Sequence, residues 1–134
     1  MSIMDWEPAL DVGVGAMNDE HKQLLSLMNA LHDAYKAGET GSSVMQKLDA
    51  LGAATIKHFA DEEVYMESIG YPKLASHKII HQQLLQKFTQ FSAEIRQANG
   101  KLEEGFFTFL KFWLSAHIKG VDMQYSPAAM KMTG

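Results

Sequence analysis

Apolar residues recur every three or four positions through four stretches of this chain, the period of an amphipathic helix. The first stretch, about 17–38, has an inner stripe of His21, Leu24, Met28, Leu31 and Tyr35. The second, about 42–69, carries Val44, Leu48, Leu51, Thr55, His58, Phe59, Glu62, Met66 and Ile69. The third, about 73–99, carries Leu74, His77, His81, Leu84, Phe88, Phe91 and Ile95. The fourth, about 101–122, carries Leu102, Phe106, Leu110, Trp113 and His117. Asn18 suits the first N-cap, and Gly38, Gly70 and Gly100 read as stop signals. Pro72 is the only proline between the first and last helical stretches. No segment alternates with the period of a strand. The expected fold is all-α: an up-down-up-down four-helix bundle, because short connections make consecutive helices antiparallel. Residues 1–16 read as an extended arm and 126–134 as a short tail, all within one domain.

The stripes are interrupted by donors. His58 and Glu62 are spaced i, i+4, as are His77 and His81, so each pair shares one helix face. His21 lies early in the first helix, and His117 and Asp122 lie late in the fourth. In an antiparallel bundle all these positions fall in the same half. Polar groups on inner stripes need partners, so the set reads as a buried metal site. Five imidazoles and two bridging carboxylates offer nine donor atoms, too many for one tetrahedral zinc. Two octahedral metals sharing an oxide or hydroxide are filled except for one position. Imidazole and carboxylate donors with an open position suit iron best, with zinc and manganese as alternative occupants in a preparation. His32 is set apart. It returns to nearly the His21 face but about 16 Å further along the axis, and is read as a structural histidine. Met17, Met28 and Met66 are read as core filler.

His117 and Asp122 are five residues apart, which on a regular helix separates them by about 140°. Two donors of one cluster should not diverge that far. The spacing predicts a π-type bulge or a helix break between His117 and Tyr125, eased by Gly120.

Charge and composition narrow the function classes. A net charge of −4 gives no basic footprint for nucleic acid. No apolar run reaches membrane-spanning length. The start Met1-Ser2-Ile3-Met4-Asp5-Trp6 lacks the basic and apolar regions of a signal peptide, so the expected location is the cytoplasm. The absence of cysteine removes thiolate zinc and iron–sulfur sites.

The runs His58-Phe59-Ala60-Asp61-Glu62-Glu63, His77-Lys78-Ile79-Ile80-His81 and Trp113-Leu114-Ser115-Ala116-His117-Ile118-Lys119-Gly120-Val121-Asp122 resemble the hemerythrin family. So do Asn18-Asp19-Glu20-His21-Lys22, Tyr71-Pro72 and the Trp6 arm with Val12-Gly13-Val14. The likeness is to the single-domain bacterial branch, the bacteriohemerythrins. Asn18 stands where many relatives have aspartate.

The resemblance implies two irons bridged by an oxide or hydroxide. His77, His81 and His117 hold one iron and His21 and His58 the other, while Glu62 and Asp122 bridge. Dioxygen then binds at the five-coordinate second iron and is reduced to a hydroperoxide, protonated from the bridging hydroxide. Leu25, Phe59, Trp113, Leu114 and Ile118 are expected to line a dry dioxygen pocket, although Trp113 and Phe59 are core residues first. Two carboxylates make this shell less anionic than the four-carboxylate ferritin-like sites. It therefore supports high-valent iron less well and favours reversible binding. The expected function is oxygen storage, delivery or buffering, not enzyme catalysis, with an oxygen-consuming enzyme or a reductase as partner. The alternatives are an oxygen or redox sensor, or a diiron enzyme acting on nitric oxide or peroxide.

Overall fold

The computed structural model describes residues 4–127. It is a four-helix bundle of α1 (Gly15–Lys36), α2 (Gly41–Ser68), α3 (Leu74–Gln97) and α4 (Glu104–Gly120). Short 3-10 turns occupy Pro8–Leu10 before α1 and Asp122–Tyr125 after α4. The links 37–40, 69–73 and 98–103 are too short to cross the bundle, so neighbours run antiparallel. No helix of the described residues is long and apolar enough to cross a membrane. Residues 128–134, most of the expected tail, lie outside the described residues.

The helix ends follow from local chemistry. The first three helices close alike. Glu39 N–H donates to Ala34 O, Tyr71 N–H to Met66 O and Gly100 N–H to Ile95 O. These are the long bonds of a Schellman motif. Gly38, Gly70 and Asn99 take the left-handed conformation that the motif requires, at φ 75°, 65° and 57°. Gly100 serves a second purpose. A Cβ there would fall 2.6 Å from the Gly41 nitrogen, so the α3–α4 link can lie against the start of α2 only without a side chain.

Two boundaries differ from the pattern-based expectation. Helix α1 begins at Gly15, after an extended Val14. Asn18 N–H already donates to Val14 O at 2.9 Å, so Asn18 sits inside the first turn and is not the N-cap. Its side chain ties down the arm instead. It accepts from Val12 N–H at 3.0 Å and donates to Asp11 Oδ1 at 2.8 Å. Helix α4 spans Glu104–Gly120, not 101–122, because Glu103 is extended and the chain tightens after Gly120.

The core runs the length of the bundle. Leu24, Met28 and Leu31 of α1 meet Val44, Leu48 and Leu51 of α2, Phe88 of α3, and Phe106, Phe107 and Leu110 of α4. The arm belongs to this core, since Leu10 and Val12 are fully buried. Asn29 on α1 pins the arm further by hydrogen-bonding both N–H and C=O of Met4. His32 lies in the apolar half, its ring edge-on to Phe107 at 4.9 Å.

Candidate metal centre

Helical spacing carries the donors into the bundle from four directions. His21 comes from α1, His58 and Glu62 from the later half of α2, His77 and His81 from the start of α3, and His117 from the last turn of α4. Asp122 opens the 3-10 turn that follows. Val121 N–H still donates to His117 O, but Gln124 N–H donates to Val121 O. The helix therefore tightens after Gly120, and the backbone takes the break rather than the bulge. A Cβ at Gly120 would meet nothing, so the missing side chain is not required by space.

All seven side chains are buried, none more than 5% exposed. Their donor atoms form two groups, each with every atom within 4.8 Å of the others: Glu62, His77, His81, His117 and Asp122; and His21, His58, Glu62 and Asp122. Both carboxylates belong to both groups, and each divides its oxygens. Glu62 Oε2 faces His21 and His58 Nε2 at 3.7 and 3.3 Å, while Oε1 faces His77 and His81 Nε2 at 3.1 and 2.9 Å. Asp122 Oδ2 faces His21 Nε2 at 3.1 Å, while Oδ1 faces His77 and His117 Nε2 at 3.0 and 2.9 Å.

These contacts are close, yet most are not hydrogen bonds. Nε2 of His21, His58, His77 and His117 and both oxygens of Asp122 lack a partner of acceptable geometry. Buried polar atoms are normally satisfied, and an unpaired buried carboxylate is costly. Donors that converge without bonding one another fit a pair of cations between them.

Electrostatics agree. Burial alone pushes the Glu62 carboxyl up, but the imidazoles of His117, His21, His58 and His77 hold it well below its usual range. Burial and the Glu62 charge push Asp122 up, and His117 and His21 outweigh them to hold it low. Burial lowers the His58 imidazole, but its bond to Glu20 and the close carboxylates of Glu62 and Asp122 raise it to about 9. His117 behaves alike: burial opposes, and Asp122 and Glu62 raise it to about 9. Two ionised carboxylates thus form a buried anionic pair that attracts positive charge.

An outer layer orients the donors. His58 Nδ1 lies 2.7 Å from Glu20 Oε1, and His81 Nδ1 lies 2.9 Å from Glu63 Oε2. A proton on each Nδ1, donated outward, leaves the Nε2 lone pair for a metal. The Tyr125 hydroxyl donates to Glu62 Oε2 at 2.8 Å. Burial, with the charges of Asp122 and Glu62, pushes that phenol far up, so it stays a donor. Sequence reasoning missed all three partners. Glu63 lies off the inner stripe of α2, yet it reaches sideways to α3.

The five expected pocket residues are all buried. Phe59 stacks on His81 with centroids 3.9 Å apart and also contacts His117 and Trp113. Trp113 approaches His117 at 6.3 Å. Leu25, Leu114 and Ile118 belong to the surrounding core.

The profile of the Hemerythrin HHE cation binding domain matches residues 12–129. The chain belongs to the hemerythrin family. A bacteriohemerythrin of Methylococcus capsulatus is 31% identical over 128 residues, covering 95% of this chain and 97% of that protein. One from Stenotrophomonas maltophilia is 29% identical, covering 94% of this chain and 81% of that protein. The crystal structure of a wild-type hemerythrin superposes with a TM-score of 0.85 at 31% identity, covering 94% of this chain and 97% of that one. In this hemerythrin the seven donors form two buried groups that could each hold a metal ion.

Proposed function

We propose that this hemerythrin binds dioxygen reversibly at a diiron centre and serves to store, deliver or buffer oxygen. The observation that carries the reading is the unequal sharing of histidines across two divided carboxylates. His77, His81 and His117 stand on one side and His21 and His58 on the other, with Glu62 and Asp122 common to both. His77, His81 and His117 would hold one iron, His21 and His58 the second, and the two carboxylates would bridge. The side with two imidazoles would thus offer its iron one protein donor fewer than the side with three, leaving a position open. When bound, the iron pair supplies two electrons and that open position.

The chain's own residues do the rest. Glu20 and Glu63 hold His58 and His81 in one tautomer and one orientation. Tyr125 keeps its own proton and donates it in a hydrogen bond to Glu62 Oε2, which faces the His21–His58 side. Phe59 and Trp113, with Leu25, Leu114 and Ile118, supply apolar surface that excludes water. The names of the bacteriohemerythrin relatives support the same reading.

The test is an oxygen titration of the anaerobically reduced, iron-loaded protein, followed optically and then reversed by removing oxygen. Charge-transfer absorption that appears with oxygen and vanishes under vacuum is expected. Irreversible conversion in one turnover, or fewer than a pair of irons per chain, overturns the proposal.

A further inference from the structure

Helix α4 presents Phe112 outward at 74% exposure, more than any other exposed large hydrophobic among the described residues. Phe112 and Ala116 form a ridge shared by two clefts. The first, of about 830 Å³, lies between α1 and α4; its apolar wall is Phe107 and its rim holds Lys36, Lys111 and Lys119. The second, of about 370 Å³, lies between α3 and α4; Leu84, Phe109 and Trp113 line it, and Lys87 stands at its rim. His117 also lines this second cleft.

The charge of this face runs against that of the whole chain. The sequence holds 12 basic and 16 acidic residues, yet among the described residues Glu104 is the only acid lining either cleft. Glu104 accepts from the Tyr35 hydroxyl, and Lys119 pairs with Glu7 at the edge. Lys36 and Lys87 lie over the rings of Tyr35 and Phe91, contacts that leave their charges in place. An exposed aromatic between apolar clefts with a charged rim has the anatomy of a docking surface. A second copy meeting it about a two-fold axis would set lysines against lysines.

We propose that this α4 face docks an acidic one-electron carrier protein, whose apolar centre seats over Phe112 and whose electrons enter the metal centre through His117. The proposal rests on the diiron reading above. It gives a use to a ring of the cluster that lines a surface cleft, since a group docked there approaches a metal-binding imidazole directly. Each docking event passes one electron. Two events return a diferric pair to the diferrous state, while the carrier's flavin or iron–sulfur group is oxidised by one electron each time. No covalent bond forms or breaks.

The probe is reduced flavodoxin, an acidic flavin carrier, mixed in stopped flow with the diferric protein; the methyl viologen radical, a small cation, serves as control. The variants are Lys111→Glu and Phe112→Ser, both at exposed positions. The flavodoxin rate constant should fall steeply with salt in the parent protein and about tenfold in each variant, with viologen rates not lowered. In a separate experiment on zinc-loaded protein, oxidised flavodoxin should shift the amide resonances of Lys111 and Phe112. A salt-independent rate, equal loss with both reductants, or shifts on another face would overturn the docking proposal. So would a parent dimer that Phe112→Ser converts to monomer, because the face would then be covered by a second copy. Iron content and reversible oxygenation are measured on the same samples. If those fail, the diiron reading fails; if they hold and the rates do not respond, only the docking surface is wrong.

Discussion

The hydroxyl of Tyr125 donates to Oε2 of Glu62 across 2.8 Å, although the two residues are 63 positions apart. The bond fastens the turn after α4 to the middle of the cluster, and Asp122 begins that turn. Tyr125 therefore holds both shared carboxylates in register, one directly and one through the backbone. Tyr125→Phe should keep the fold, since the ring remains, and lower iron affinity by about tenfold, the usual scale for a lost outer partner of a metal ligand. Competition with a chelator measures this. Affinity equal to the parent protein would mean that the bond does not position Glu62.

Glu62→Ala should be more damaging than His21→Ala. Glu62 faces imidazoles of both groups, whereas His21 belongs to one. Loss of the carboxylate also leaves cations or protonated imidazoles with less buried compensation. Metal analysis after reconstitution should find little iron in Glu62→Ala and partial loading in His21→Ala. Equal loading of the two variants would remove the bridging role.

The pH dependence of stability should differ with and without metal. In the metal-free protein His58 and His117 are raised from 6.5 to about 9. A raised folded-state value stabilises the fold fully below 6.5, and that contribution is lost as pH climbs through about 9. Iron needs neutral imidazole, so its binding strengthens over the same climb. The melting temperature of the metal-free form should therefore fall between these pH values, and the gain on adding iron should widen. Parallel melting curves for the two forms would contradict the linkage.

Phe59→Ala removes the ring stacked on His81 and contacting Trp113 and His117. Truncating a buried phenylalanine costs about 3–5 kcal/mol, read by denaturant unfolding. The oxygenated form should also decay faster as water reaches the site. Unchanged decay with reduced stability would limit Phe59 to packing. His32→Ala is the control: its ring meets Phe107 and Tyr35, so the iron spectrum should not change.

Gly100→Ala should destabilise the bundle by more than about 1 kcal/mol. The residue sits at φ 81°, and the new Cβ would meet backbone of Gly41 rather than a movable side chain. A melting temperature equal to the parent would show that the link relaxes freely.

Much of the cluster is legible in the chain because helices convert spacing into direction. His58 with Glu62 and His77 with His81 must share faces, and an antiparallel bundle must bring the start of α1 and α3 beside the end of α2 and α4. Buried polar residues on those faces then mark one half of the bundle. Tertiary structure alone decided what no period encodes. Glu20 meets His58 from another helix, Glu63 reaches His81 across the α2–α3 seam, and Tyr125 closes on Glu62. It also decided which oxygen of each carboxylate faces which histidines, and that Asn18 binds the arm instead of capping α1. The physical reason is range. Backbone periodicity fixes a side chain's direction within its own helix, whereas a contact between helices depends on how they are packed and where each one ends.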